Sequence, residues 1–202
     1  MKNKIQNYYD LLSLDYDSAI LCLQNKYGPV KDDYFREKSY KRFFSGKNKS
    51  ITRGKYSRAK EDGLYCHHIA EDKYYNLGSP QFCKTYDVPF EVQKRENLVY
   101  CNLVEHFILH LLIMKKTNGK FGTSGALLFL LPFIIDWYID KKELPSTPWI
   151  TSCYKAAYLR KKEVLELLNF AKGKFTYFFS RSARMCLFCP YELFNAGKET
   201  KN

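Results

Sequence analysis

Tyr65-Cys66-His67-His68-Ile69 places a tandem histidine pair in a short aromatic and β-branched run, and Val104-Glu105-His106-Phe107-Ile108-Leu109-His110-Leu111-Leu112-Ile113-Met114 answers it later in the chain. The chain has four histidines, all in these two stretches. Histidines scattered by composition alone would not be used this way, so the four read as one site. Gly63 to Ile69 has the content of a strand, and Leu98-Val99-Tyr100-Cys101 reads as a second strand with Asn97 at its start. Val104 to Met114 is rich in Leu and free of Gly and Pro, which predicts a helix. The i,i+4 spacing sets His106 and His110 on one face of it. Strand, long connection, strand, helix gives a small ββα unit in which the tandem pair faces the helical pair. Strand alternation turns Cys66 to the face opposite His67.

This order of residues resembles the HNH nucleases, also called ββα-metal or His-Me finger nucleases, in the His-His form of the colicin DNases and many phage-type endonucleases. The resemblance covers residues 62 to 116 and rests on His67, His68, Asn97, His106 and His110. It implies that His67, His106 and His110 hold a divalent metal ion. It also implies that His68 is the general base that takes a proton from the attacking water, and that Asn97 fixes the loop carrying that base by hydrogen bonding. The expected activity is that of a metal-dependent endonuclease hydrolysing phosphodiester bonds of DNA. Residues 69–96 between His68 and Asn97 exceed the compact loop of the family, so 72–93 reads as an insertion whose role the family does not supply.

The residue types suit that chemistry. A neutral imidazole titrates near ~6.5, so His68 can accept a proton at physiological pH. A divalent ion acts as a Lewis acid toward the phosphoryl group, and three imidazoles leave coordination positions open. The ion is expected to be Zn, Ni, Mn or Mg; imidazole suits Zn, Ni, Mn or Fe better than Mg, which prefers oxygen. Glu71 or Asp72 would add a carboxylate or orient an imidazole, although acidic residues after a strand are usually just solvated. An HxxxH pair alone is more often two surface or core histidines than a ligand pair. The alternative reading is a nucleic-acid-binding protein that cuts nothing and whose histidines hold a structural Zn. Such sites are usually cysteine-rich and closed by four protein ligands, and the fourth here would be Cys66 or His68.

The 202 residues, 46% hydrophobic, suit one domain or one with a small appendage. The fold class expected is α+β: a helical, basic region over 1–61, the ββα-metal core with its insertion over 62–116, and a helical region over 117–202. A net charge of +12 favours a polyanionic partner, with double-stranded DNA preferred. Charge alone does not separate nucleic acid from an anionic membrane surface. Arg36 to Lys60 is the most basic stretch, with Glu37 as its one acid. Within it Arg42, Lys47, Lys49, Arg53, Lys55, Arg58 and Lys60 are expected to contact a phosphate backbone without reading sequence.

Helices are expected over 5–27, with a break between Ser13 and Ser18, and over 32–44 after a turn at Gly28-Pro29. This pair would serve as a helix-turn-helix reader or, more commonly, as scaffold. The insertion should be irregular with a short helix over 80–86. Residues 126–139 are too short to span a membrane and contain Pro132 and Asp136, so a buried core helix is expected. An amphipathic helix is expected over 156–170, and disorder over 197–202. The polar amino terminus lacks an apolar leader, which points to the cytoplasm. Seven cysteines, odd in number and irregularly spaced, suit free thiols; Cys186-Leu187-Phe188-Cys189 reads as an apolar turn rather than a Zn knuckle.

Overall fold

β1 (Tyr65–His68) and β2 (Leu98–Cys101) pair antiparallel, with His67 opposite Val99 and His68 opposite Leu98. They form the single sheet found among residues 4–178, which are the residues the computed structural model describes. Alternation gives the ribbon two different faces. Tyr65, Val99 and Cys101 pack into the main core. Cys66, Leu98 and Tyr100 pack on the other side with Val30 and Leu64.

Fourteen residues of helix follow the ribbon at once, and they carry the second histidine pair. This helix, Leu103–Lys116, begins at a capping box: the Asn102 side chain accepts from the Glu105 N–H at 3.0 Å, and the Glu105 carboxylate accepts from the Asn102 N–H at 2.8 Å. Two donors that the first turn leaves free are thereby satisfied. Around it pack α1 (Lys4–Leu12) and α2 (Tyr16–Tyr27), which break apart within the expected 13–18 window because Asp15 caps α2 by accepting from the Ser18 N–H. The class is α+β, as the sequence implies.

Several expected helices are redrawn. Residues 32–36 are not helical, with Phe35 in an isolated antiparallel bridge to Arg53, and α3 is confined to Glu37–Phe44. Tyr34 donates its N–H to Gln93 and accepts from Gly54, and Arg36 donates to Thr52. These backbone bonds consume groups that a helix would have needed, and the long connection from α2 is not the short turn of a helix-turn-helix reader. The insertion holds one short α-helix, Pro80–Thr85, and a 3-10 turn over Phe90–Gln93. It is otherwise irregular as expected, but it is anchored: Leu77, Cys83, Val88 and Phe90 form a small second core with Phe35, Tyr40, Phe43 and Ile51.

Residues 126–139 are helical and mostly buried in the main core, with one exposed apolar face. Leu131–Ile134 is flanked by wide π-type turns over Gly125–Leu130 and Ile135–Ile139. Pro132 has no N–H to offer its helix, and widened turns accommodate the gap. Leu127, Leu131, Ile134 and Tyr138 face inward, whereas Leu128, Phe129 and Phe133 are exposed. The single helix expected over 156–170 is two, Pro148–Ala157 and Lys161–Lys174, because Glu163 reaches back to accept the Arg160 N–H at 2.8 Å and starts a new helix. No helix among the described residues is long and apolar enough to cross a membrane. Cys186, Cys189 and the 197–202 tail lie outside the described residues.

Candidate metal centre

The end of β1, the turn after it and one face of the Leu103–Lys116 helix converge. His67, Glu71, His106 and His110 each offer one ligand atom, and these four atoms all lie within 4.8 Å of one another. The imidazole centroids are 5.1 Å apart for His67 and His106, 5.3 Å for His67 and His110, and 5.0 Å for His106 and His110. Glu71 joins because the chain leaves β1 through a 3-10 turn over Ile69–Asp72, which folds it back beneath the strand. Its Oε2 lies 3.2 Å from His110 Nε2 and 3.8 Å from His67 Nδ1. Asp72, the other carboxylate considered, instead pairs with Lys116 at 2.9 Å.

Tyr16 fixes how His67 enters this group. Its hydroxyl donates to the Ile69 carbonyl at 2.9 Å and also lies 2.9 Å from His67 Nε2. The hydroxyl has a single hydrogen, already committed, so His67 Nε2 is the donor of the second bond. His67 Nδ1 therefore presents its lone pair to Glu71 and the other imidazoles. A ligand histidine is commonly oriented in this way by the bond its other nitrogen makes.

Four buried nitrogens of the group have no hydrogen-bond partner among the described residues: His67 Nδ1, both nitrogens of His106, and His110 Nδ1. A buried polar atom left without a partner costs about 1–3 kcal/mol. A cation amid the cluster would satisfy the inward-facing lone pairs together. Ligand bonds of about 2.0–2.1 Å in a tetrahedron set ligand atoms roughly 3.4 Å apart. The four ligand atoms, all within 4.8 Å of one another, stand somewhat wider than that. Gly125 allows His110 its place, since a Cβ there would clash with the ring at Nδ1 and Cε1.

The electrostatics suit ligation. Burial pushes His67 down to about 3, with the neighbouring His110 and His68 adding to the effect and Glu71 opposing it. Burial likewise holds His106 well below the usual range. Both rings are then neutral at physiological pH and need release no proton to bind an ion. For Glu71, burial works against the charge, but its contacts with His67, His110 and His68 outweigh it, so the carboxyl stays well below its usual range.

The remaining sequence candidates divide. His68 is 2% exposed and points to the other face of the ribbon, where the Tyr34 ring covers it at 4.4 Å between centroids. Gln93 donates its amide N–H to the Leu77 carbonyl at 3.2 Å, so its oxygen faces His68 Nε2, which donates to it at 3.0 Å. His68 Nδ1 lies 3.6 Å from Glu71 Oε1, and through this carboxylate His68 meets the cluster. Asn97 is exposed and donates to the Glu91 carbonyl at 2.7 Å. It ties down the Phe90–Gln93 turn that carries Gln93, not β1 itself. Among the basic residues, Arg53, Arg58 and Lys60 line a cleft on the Cys66 side of the ribbon, and Arg42 and Lys47 line a separate hollow beside α3. Lys49 and Lys55 are exposed and line neither.

Tyr16 and Gln93 were not legible as site residues. Each lies far along the chain from the histidine it touches, and neither repeats a spacing that a motif would show. No family model, curated protein or solved structure matches the chain.

Proposed function

We propose that the chain is a metal-dependent endonuclease that hydrolyses phosphodiester bonds, with double-stranded DNA as its expected substrate. The observation that carries this reading is the His67, Glu71, His106 and His110 cluster at the meeting of a two-stranded ribbon and the helix after it. Those four residues hold the divalent ion; Zn, Ni or Mn suits three imidazoles and a carboxylate better than Mg. Once bound, the ion supplies Lewis-acid stabilisation of the phosphoryl oxygens. Substrate reaches the site from the side of His106 and Glu71, the half-buried members. His68 accepts the proton of the attacking water at Nδ1, because its Nε2 donates to Gln93. Gln93 and Tyr34 hold that ring in place, and Asn97 holds the turn bearing Gln93. The +12 charge draws in the polyanion.

A second reading is favoured by one feature. Four protein ligands with His67 fully buried are what a closed structural Zn site requires. Supercoiled plasmid incubated with metal-stripped protein plus Zn, Ni, Mn or Mg separates the two. The nuclease reading expects nicking that needs added metal and falls at least about 100-fold in His68→Ala, with folding retained. Intact plasmid with every metal, together with melting of the protein on chelation, would replace it with the structural reading.

A further inference from the structure

On the side of the ribbon away from the cluster lies a cleft of about 710 Å³, within the roughly 300–1,000 Å³ usual for small-ligand sites. Its wall is aromatic and its charge basic. Tyr56 and Trp149 stand 45% and 41% exposed on it. Arg53 and Lys60 project beside them with no carboxylate in ion-pair reach among the described residues, whereas Arg58 is held by Asp62 at 2.6 Å and by the Tyr27 carbonyl at 2.8 Å. The two acids of the lining are already engaged. Asp32 takes both ends of the Arg36 guanidinium at 2.9 and 2.7 Å and the Lys55 N–H, and Asp33 takes the Arg95 N–H at 3.0 Å. The cleft thus presents cations without a carboxylate partner next to exposed rings, with Arg53 against Tyr34 and Lys31 5.0 Å from the Tyr56 ring centroid on one face of it.

We propose that this cleft binds a nucleotide whose base is unpaired, its phosphate on Arg53 and Lys60 and its base against Tyr56 and Trp149. Every base has a π-face, so aromatic walls with basic neighbours take single-stranded nucleic acid without reading sequence. A duplex hides its bases in the stack and offers such walls nothing. The inference rests on the nuclease reading and refines its substrate to nucleic acid with a single-stranded segment beside the cut. Tyr34 joins the two places: it lines the cleft, the Arg53 guanidinium lies 5.1 Å from its ring centroid, and its ring also covers His68.

The chain has two tryptophans, and Trp137 is 8% exposed, so quenching of intrinsic fluorescence reports Trp149. The probe is a phosphorothioate-linked oligothymidylate of about eight residues, which resists hydrolysis and keeps its charge. It is titrated into the protein as purified, beside thymidine monophosphate, inorganic phosphate and a blunt, fully paired duplex. The proposal expects quenching by the oligomer, at least about ten-fold weaker affinity in Tyr56→Ala and in the Arg53→Ala/Lys60→Ala double variant, and no quenching by phosphate or duplex. Quenching by the monophosphate at equal affinity supports the same site with a free nucleotide as occupant. All these side chains are surface groups, and circular dichroism checks each fold. The proposal is overturned if nothing quenches, if the duplex quenches as well as the single strand, or if the variants bind like the parent protein. Plasmid cleavage that persists while the cleft stays empty would discard the cleft and leave the nuclease reading standing.

Discussion

Tyr16 contributes one hydroxyl, and through it His67 turns its lone pair toward the cluster. Tyr16→Phe removes the acceptor for the His67 N–H and leaves the Ile69 carbonyl without its donor. We expect metal affinity to fall about 10- to 100-fold, measured by competition with a chromophoric chelator, and stability to fall by about 1–3 kcal/mol in denaturant titration. Unchanged affinity would mean that the tautomer of His67 is fixed by something other than Tyr16. Residues differ in how openly the sequence declares them. The histidines stand out because there are only four and their spacings match a strand end and a helix face. Glu71 was one of two carboxylates in view, and the 3-10 turn decides between them by folding Glu71 inward while Asp72 pairs with Lys116. Gln93 gives no signal, since its contact with His68 depends on how the insertion folds.

Among the elements, the ribbon and the helix after it were legible because alternation and the i,i+4 period are local properties. The non-helical course of 32–36 was not, since it depends on backbone bonds to Thr52, Gly54 and Gln93, which are distant in sequence. The break before Lys161 was hidden in an unbroken amphipathic pattern that a folded-back Glu163 overrides. The exposed face of 126–139 escaped because hydrophobicity counts apolar residues without saying which of them find a partner. The capping box at Asn102 matters most for the site, because it anchors the helix bearing His106 and His110. Asn102 is buried and also donates to the Tyr8 hydroxyl at 3.2 Å. Asn102→Ala is expected to cost about 1–2 kcal/mol in urea unfolding of the metal-free protein, and a loss under about 0.3 kcal/mol would show that tertiary packing alone sets the start of this helix.

At the scale of the whole molecule, two neutral, buried imidazoles tie stability to pH. The folded state keeps His67 unprotonated down to about 3, whereas the unfolded chain takes up that proton near 6.5. Between those values the unfolded state binds more protons, so stability rises with pH. The metal-free protein should hold full stability from these groups above 6.5 and lose it as pH falls toward 3, at about 1.4 kcal/mol per pH unit for each such imidazole well below 6.5. His106 shifts in the same direction and adds to the slope. Urea midpoints measured from pH 7 to pH 4 check this, and a flat profile would contradict the burial of these rings.

Metal content bears on the central claim before any assay of activity. The parent protein and its Glu71→Gln, His106→Ala, His68→Ala and Asp72→Asn variants would be equilibrated with Zn or Mn, desalted and analysed by elemental mass spectrometry. With His67, Glu71, His106 and His110 as the ligands, the parent should retain one ion per chain. Glu71→Gln and His106→Ala should lose it, and His68→Ala and Asp72→Asn should keep it. A parent that retains no ion, or an ion that survives His106→Ala, would contradict the account.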